Sequence, residues 1–262
     1  MAEGGARATV QFVTEDGLPV PAVTAEQMRE VDRIAVEETG PALLQMMENA
    51  GRSLAELVLH ELGESYAAAS VLVVAGGGGN GGGGICAARR LIGRVGEVIL
   101  CLADPTRLSD AAGQQRQIFS HTAGQEIPRT DLAAQRPDLV VDALIGYGLT
   151  SAPRSGAAEL IQWINTCGTP TVALDIPSGA NASTGETPGV VVRPTATLTL
   201  ALPKTGLASV PTGALFLADL GIPEQVYHGL GLPYRFPFKD RFWVTLRTLD
   251  LGHERPPHGP TG

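Results

Sequence analysis

Short, nearly continuous apolar runs separated by helix-like stretches predict an α/β fold, with a mainly parallel Rossmann-like sheet covered by helices on both faces. Three observations carry this expectation. The runs are VLVVAG, EVILCLA, LVVDALIG, TVALDIPSG, TATLTLAL and ALFLADLG. They are nearly continuous in apolar residues, as expected of strands buried on both sides. The stretches between them read as helical, so strand and helix alternate. Finally, the runs close on polar residues, at the strand ends where open α/β sheets bind ligands.

In chain order, residues 1–23 carry no strong periodicity and read as a flexible N-terminal arm. Thr24 and Gln27 have capping-box spacing ahead of a helix through Met28, Val31, Ile34 and Ala35. A second helix presents Leu43, Leu44, Met46, Met47, Ala50, Leu54, Leu57 and Val58. That face is wide enough for core on one side and a subunit contact on the other, although core alone is the simpler reading. The alternating strands and helices then run from residue 71 onward, giving one domain over 24–246. Residues 247–262, rich in Pro and Gly toward GHERPPHGPTG, read as a disordered tail.

Composition limits the function. The 262 residues are 44% hydrophobic and 18% charged, enough for one sizeable core. The net charge of -8, without a Lys/Arg cluster, argues against nucleic acid or an anionic membrane as partner and for a small-molecule ligand. No apolar run approaches the roughly 20 residues of a membrane span, and MAEGGARATVQF lacks the order of a signal peptide, so a cytoplasmic location is expected. Cys86, Cys101 and Cys167 are odd in number and widely spaced, which favours reduced thiols. The five histidines have no metal-ligand spacing.

The first run ends in GGGGNGGGG, residues 76–84, with Asn80 between two glycine tetrads. Glycines after a strand allow backbone N–H groups close to a phosphate, and a helix expected over about 85–92 would point its positive end there. A tight strand-to-helix connection without ligand is the alternative. A phosphate-loop NTPase is excluded, because no Lys-Ser or Lys-Thr follows the glycines. Asp142 lies in the third run, Asp175 and Ser178 close the fourth, and Lys204 follows the fifth. Asp142 and Ser178 could equally make local backbone bonds. Asp175, directly after a buried run, demands a partner. Lys204 reads either as a phosphate contact or as a solvated strand-end lysine.

The succession TAEQMREVDRIAVEETG, MMENAG, the glycine loop, VVDALIGYGL, ALDIPSGANASTG, TLTLALPKTGL and LADLGIP, over about residues 24–228, resembles the NAD(P)H-hydrate epimerases of the YjeF N-terminal type. The resemblance implies a three-layer α/β/α fold, a homodimer, and an isomerase that interconverts R and S hydrated NAD(P)H. It implies a potassium ion on Asn80, Asp142 and Ser178, whose oxygens suit a hard cation. It places substrate contacts on Gly79, Asn80, Gly81, Gly82 and Gly83, on Gly146, Tyr147, Gly148, Leu149, Thr150, Ser151 and Ala152, and on Asp175. Asp175 is the expected general acid/base. Gly77, Gly79 and Gly83 replace the Pro, Asn and Asp usual in the family loop, and the last removes a carboxylate. Arg107 is a possible substitute for a lysine found in some members. A related enzyme with another substrate, or a non-catalytic ligand-binding module, are therefore the alternatives.

Overall fold

The computed structural model describes residues 10–250; the tail expected over 251–262 lies outside the described residues, as does the arm over 1–9. The chain opens with β1 (Val10–Thr14) and β2 (Pro19–Val20), then α1 (Ala25–Ile34) and, after a π-helical turn, α2 (Leu43–Leu62). The alternating region follows as β3 (Ser70–Ala75), α3 (Gly79–Leu91), β4 (Glu97–Leu102), α4 (Asp110–Ser120), β5 (Gln125–Ile127), β6 (Leu139–Ala143), α5 (Ser155–Thr166), β7 (Thr171–Leu174) and β8 (Ala196–Leu200). It closes with β9 (Ala214–Ala218), α6 (Glu224–Gly229) and β10 (Trp243–Asp250).

The strands form one sheet in the order β2-β1-β10-β9-β8-β7-β6-β3-β4-β5. From β9 to β5 every pair is parallel, and β10, β1 and β2 extend the sheet antiparallel. Alternate strand residues feed opposite faces. Val71, Val73, Val141 and Leu100 pack with Leu54, Leu57, Ile85 and Phe119 from α2, α3 and α4. Leu72, Val74, Ile99 and Val140 pack on the other side with Leu160, Ile161 and Ile164 from α5. This two-sided burial explains the continuous apolar runs. Among the described residues no helix is long and apolar enough to cross a membrane.

Three expectations are corrected. The flexible arm holds a strand from Val10 onward, and residues 247–250 continue β10 rather than beginning a tail, because β1 and β10 pair from Val10↔Asp250 to Thr14↔Leu246. Phe12, Val13 and Val20 are buried in this addition, so it contributes core as well as backbone hydrogen bonds. The helix expected to start near residue 85 starts at Gly79, taking in six residues of the loop as its first turns. Glycine disfavours a helix interior by about 1 kcal/mol relative to alanine, but here side chains would not fit. A Cβ at Gly81 would stand 1.8 Å from the Gly76 carbonyl oxygen, and one at Gly84 would stand 2.3 Å from the Ala143 Cβ. Close packing of α3 against β6 and its own preceding loop requires the glycines.

The capping box is present as expected: the Thr24 hydroxyl accepts from the Gln27 N–H at 3.2 Å, and Gln27 Oε1 accepts from the Thr24 N–H at 2.9 Å. It fixes where α1 begins. Val23, just before it, exchanges backbone bonds with Pro203 and Thr205, so α1 is tied to the segment after β8. Across the other side, Glu48 of α2 joins Arg89 and Arg90 of α3 and Gln115 of α4. Burial alone would raise its carboxyl, but these donors hold it down at about 2.

Candidate active site

At the carboxyl ends of β3, β6, β7 and β8 a cavity of about 520 Å³ opens, roofed by α1 and the start of α2. Its wall is apolar where Met28, Leu43, Met46, Met47, Leu200 and Leu220 meet it. Its polar groups are Asp32, Asn80, Tyr147, Asp175 and Lys204. An apolar cleft with a few convergent polar groups is the usual form of a small-molecule site.

Asp175 lies at its centre. It follows β7 with φ of 71°, the left-handed region that Asp tolerates better than most side chains. Its N–H donates to Leu198 O at 2.7 Å, which locks the turn against β8. Its carboxylate accepts the Tyr147 N–H at 3.1 Å and forms an ion pair with Lys204, both side chains being buried. Lys204 also donates to Leu200 O at 2.8 Å. The strand-end lysine is thus neither solvated nor free for a phosphate: it is the partner that Asp175 requires.

Tyr147 links a second carboxylate. Its hydroxyl donates to Asp32 Oδ2 at 2.5 Å, and its ring lies near the Arg29 guanidinium and the Lys204 ammonium, at 6.0 and 5.9 Å from the centroid. Burial raises the Asp32 carboxyl above its ordinary value, against the opposing effects of the Tyr147 bond and the Lys204 charge. Burial and the adjacent Asp32 push the Tyr147 phenol upward as well.

Asp142 and Ser178 bond directly. The Ser178 hydroxyl and N–H donate to Asp142 Oδ1 and Oδ2 at 2.6 and 2.9 Å, Leu144 N–H donates to Oδ1 at 3.2 Å, and Ile145 N–H donates to the Ser178 hydroxyl at 2.9 Å. Full burial pushes the Asp142 carboxyl up to about 6 despite these bonds. Asn80 lies across Gly146: a Cβ there would stand 3.2 Å from the Asn80 carboxamide and 3.1 Å from Asp175 Oδ2. Both polar atoms of the Asn80 side chain are buried without a hydrogen-bond partner among the described residues. The unpartnered oxygen of the Asn80 carboxamide is of the kind that a hard monovalent ion takes.

The structure therefore brings Gly79, Asn80, Gly83, Gly146, Tyr147, Gly148 and Asp175 to one cavity. It separates Gly81 and Gly82, which face the Gly76 backbone and Met47 from inside α3. Leu149, Thr150, Ser151 and Ala152 continue past the rim and do not line the cavity. Arg107 is exposed, its carbonyl lying under Gly77. Sequence reasoning missed Asp32 and the true role of Lys204. The available signal for Asp32 was an acid one helical turn from Met28, on the buried face of α1.

Residues 43–206 match the model of the YjeF-related protein N-terminus. The chain belongs to the YjeF N-terminal family. A relative named NAD(P)H-hydrate epimerase, from Dehalogenimonas lykanthroporepellens, is 49% identical over 90% of this chain and 97% of its own length. A second relative, the bifunctional NAD(P)H-hydrate repair enzyme Nnr of Moorella thermoacetica, is 36% identical over 78% of this chain, which spans 41% of that longer protein. A crystal structure of the yeast protein ynu0 superimposes with a TM-score of 0.74 at 20% identity, covering 88% of this YjeF N-terminal chain and 100% of the yeast one. That likeness establishes the three-layer fold.

Proposed function

We propose that this chain is an NAD(P)H-hydrate epimerase, an isomerase interconverting the R and S forms of hydrated nicotinamide dinucleotides. The observation that carries the reading is the buried Asp175–Lys204 pair at the cavity floor, on the family segments matched by relatives of that name. Epimerising a hydrated ring carbon is redox-neutral. The bond from carbon to hydroxyl breaks as the ring nitrogen supplies its electron pair, and water returns on the other face. Protons must be given and taken at oxygen, which calls for a fixed acid/base. Lys204 and the Tyr147 N–H hold the Asp175 carboxylate in place for that exchange.

The start of α3 offers Gly78, Gly79 and Asn80 at a helix N-terminus, suited to the pyrophosphate. Met46, Met47 and Leu200 exclude water from around the ring. Asn80, Asp142 and Ser178 would hold a potassium ion, which when bound supplies fixed positive charge beside the anionic substrate. The absent carboxylate at Gly83 leaves the Asp175 network intact, so no observation favours a different substrate. A homodimer and a cytoplasmic location complete the reading.

The test supplies the purified chain with mixed R and S NADHX and excess S-specific dehydratase. Complete consumption of the R form is expected. Consumption of the S form alone, at the rate of the dehydratase control, would reject the assignment.

A further inference from the structure

The exchange of hydroxyl between faces has two halves with opposite proton demands. Expelling the hydroxyl as water needs an acid, and adding water back needs a base. A single carboxylate can serve both only if its proton travels round the substrate between the halves. The cavity contains two carboxylates in contrasting surroundings. Asp175 has an ammonium partner and an amide donor. Asp32 has no cationic hydrogen-bond partner among the described residues, and its one hydrogen bond is from the Tyr147 hydroxyl. Tyr147 touches both, through its hydroxyl on one side and its backbone N–H on the other.

We infer that Asp32 is the second proton-handling residue of this site, acting through the Tyr147 hydroxyl, with Asp175 as its counterpart. The inference rests on the epimerase reading. In the expulsion half Asp32 starts protonated and donates to the phenol oxygen; the Tyr147 proton passes to the departing hydroxyl oxygen as the Asp32 proton passes to the phenol, which leaves an ionised Asp32 accepting the Tyr147 hydroxyl as the structure shows. The carbon–oxygen bond breaks toward oxygen, the nitrogen pair forms a carbon–nitrogen double bond, and Tyr147 stays neutral. In the addition half, water forms the new carbon–oxygen bond on the other face, the double-bond pair returns to nitrogen, and the released proton goes to the Asp175 carboxylate. One proton has moved from Asp32 to Asp175, and it returns through water or in a turnover of the opposite sense. Two carboxylates with contrasting partners in one cavity are a recurrent acid/base design. The raised proton affinity of buried Asp32 agrees with the acid role.

The charged and titratable groups around Asp32 are Tyr147 and Lys204, Asp175 beyond them, Tyr227 of α6, and Arg29 of its own helix over the Tyr147 ring. Arg33, the next residue, turns outward to Glu30, Glu37 and Glu38. The high-pH limb of turnover should therefore report Asp32, modulated by this set.

The coupled assay, run from pH 5 to 9 with kcat and KM separated, tests the inference on Asp32→Asn, Tyr147→Phe and the double variant. Asp32→Asn preserves shape, and Tyr147→Phe preserves the ring while cutting the relay. Each is expected to lower kcat by about 10²-fold, a typical acid/base contribution, leave KM within a few-fold, and remove the high-pH limb. The double variant should be no slower than the slower single, as for residues acting in one relay. Circular dichroism melting checks that each variant folds, and Tyr147→Phe keeps the test valid if Asp32→Asn does not. Wild-type kcat with an unchanged high-pH limb in either folded variant would overturn the role of Asp32, as would an effect on KM alone. An inactive wild-type chain would overturn the epimerase reading together with this one.

Discussion

At the scale of the residue, the site is governed by buried charges that answer one another. Removing one member of a buried ion pair typically costs about 3–5 kcal/mol, because the other is left without a counter-charge. Asp175→Asn should thus destabilise the chain by about that amount in urea titration and lower turnover by about 10². Combining it with Lys204→Met should restore most of the stability and none of the turnover. A double variant as unstable as the single would mean that the pair does not carry the loss. Asp175 and Asn80 were legible in the sequence as cavity residues because polar residues at the ends of buried parallel strands stand where such sheets bind ligands. Lys204 and Asp32 were not. A lysine's long chain can reach water or turn inward, and the roll of a helix that places Asp32 against Tyr147 is decided by tertiary packing.

Elements obey the same rule that local pattern yields to packing. The parallel strands could be read directly because their apolar runs are short, β-branched and bounded by Gly, Pro or polar residues, which length and flanks assign to strand rather than helix. The start of α3 could not, because propensity argues against six glycine-rich residues beginning a helix and only their neighbours explain it. Alanine substitutions along this segment should consequently rank by clearance rather than by propensity. Gly79→Ala, with nothing within 4 Å of the added Cβ, should leave the melting temperature unchanged or raise it. Gly82→Ala meets the flexible end of Met47 at 2.6 Å and should cost an intermediate amount. Gly81→Ala and Gly84→Ala, against the Gly76 carbonyl and the Ala143 Cβ, should destabilise most or prevent folding. Thermal melts of the four variants measure the order, and equal effects would show that helix propensity dominates after all.

Across the whole molecule, the exposed apolar side chains Val36, Leu43 and Leu44 lie where the turn after α1 meets the start of α2, and Leu43 also lines the cavity rim. They are the proposed dimer surface, since exposed apolar clusters commonly mark association. Sedimentation at tens of micromolar, a range in which a stable dimer persists, should give twice the monomer mass, and Leu44→Glu should give the monomer. Wild-type protein sedimenting as a monomer would reject the dimer. The pairing of β1 with β10 has a different reach. It joins Val10 to Asp250, so one edge of the first described strand has to wait for the last described one. Until then the core around Phe12 lacks Val244 and Leu246 and the free edge of β9 stays open. Synthesis through β10, rather than emergence of the segments that line the cavity, is therefore the step that completes the sheet of the described residues.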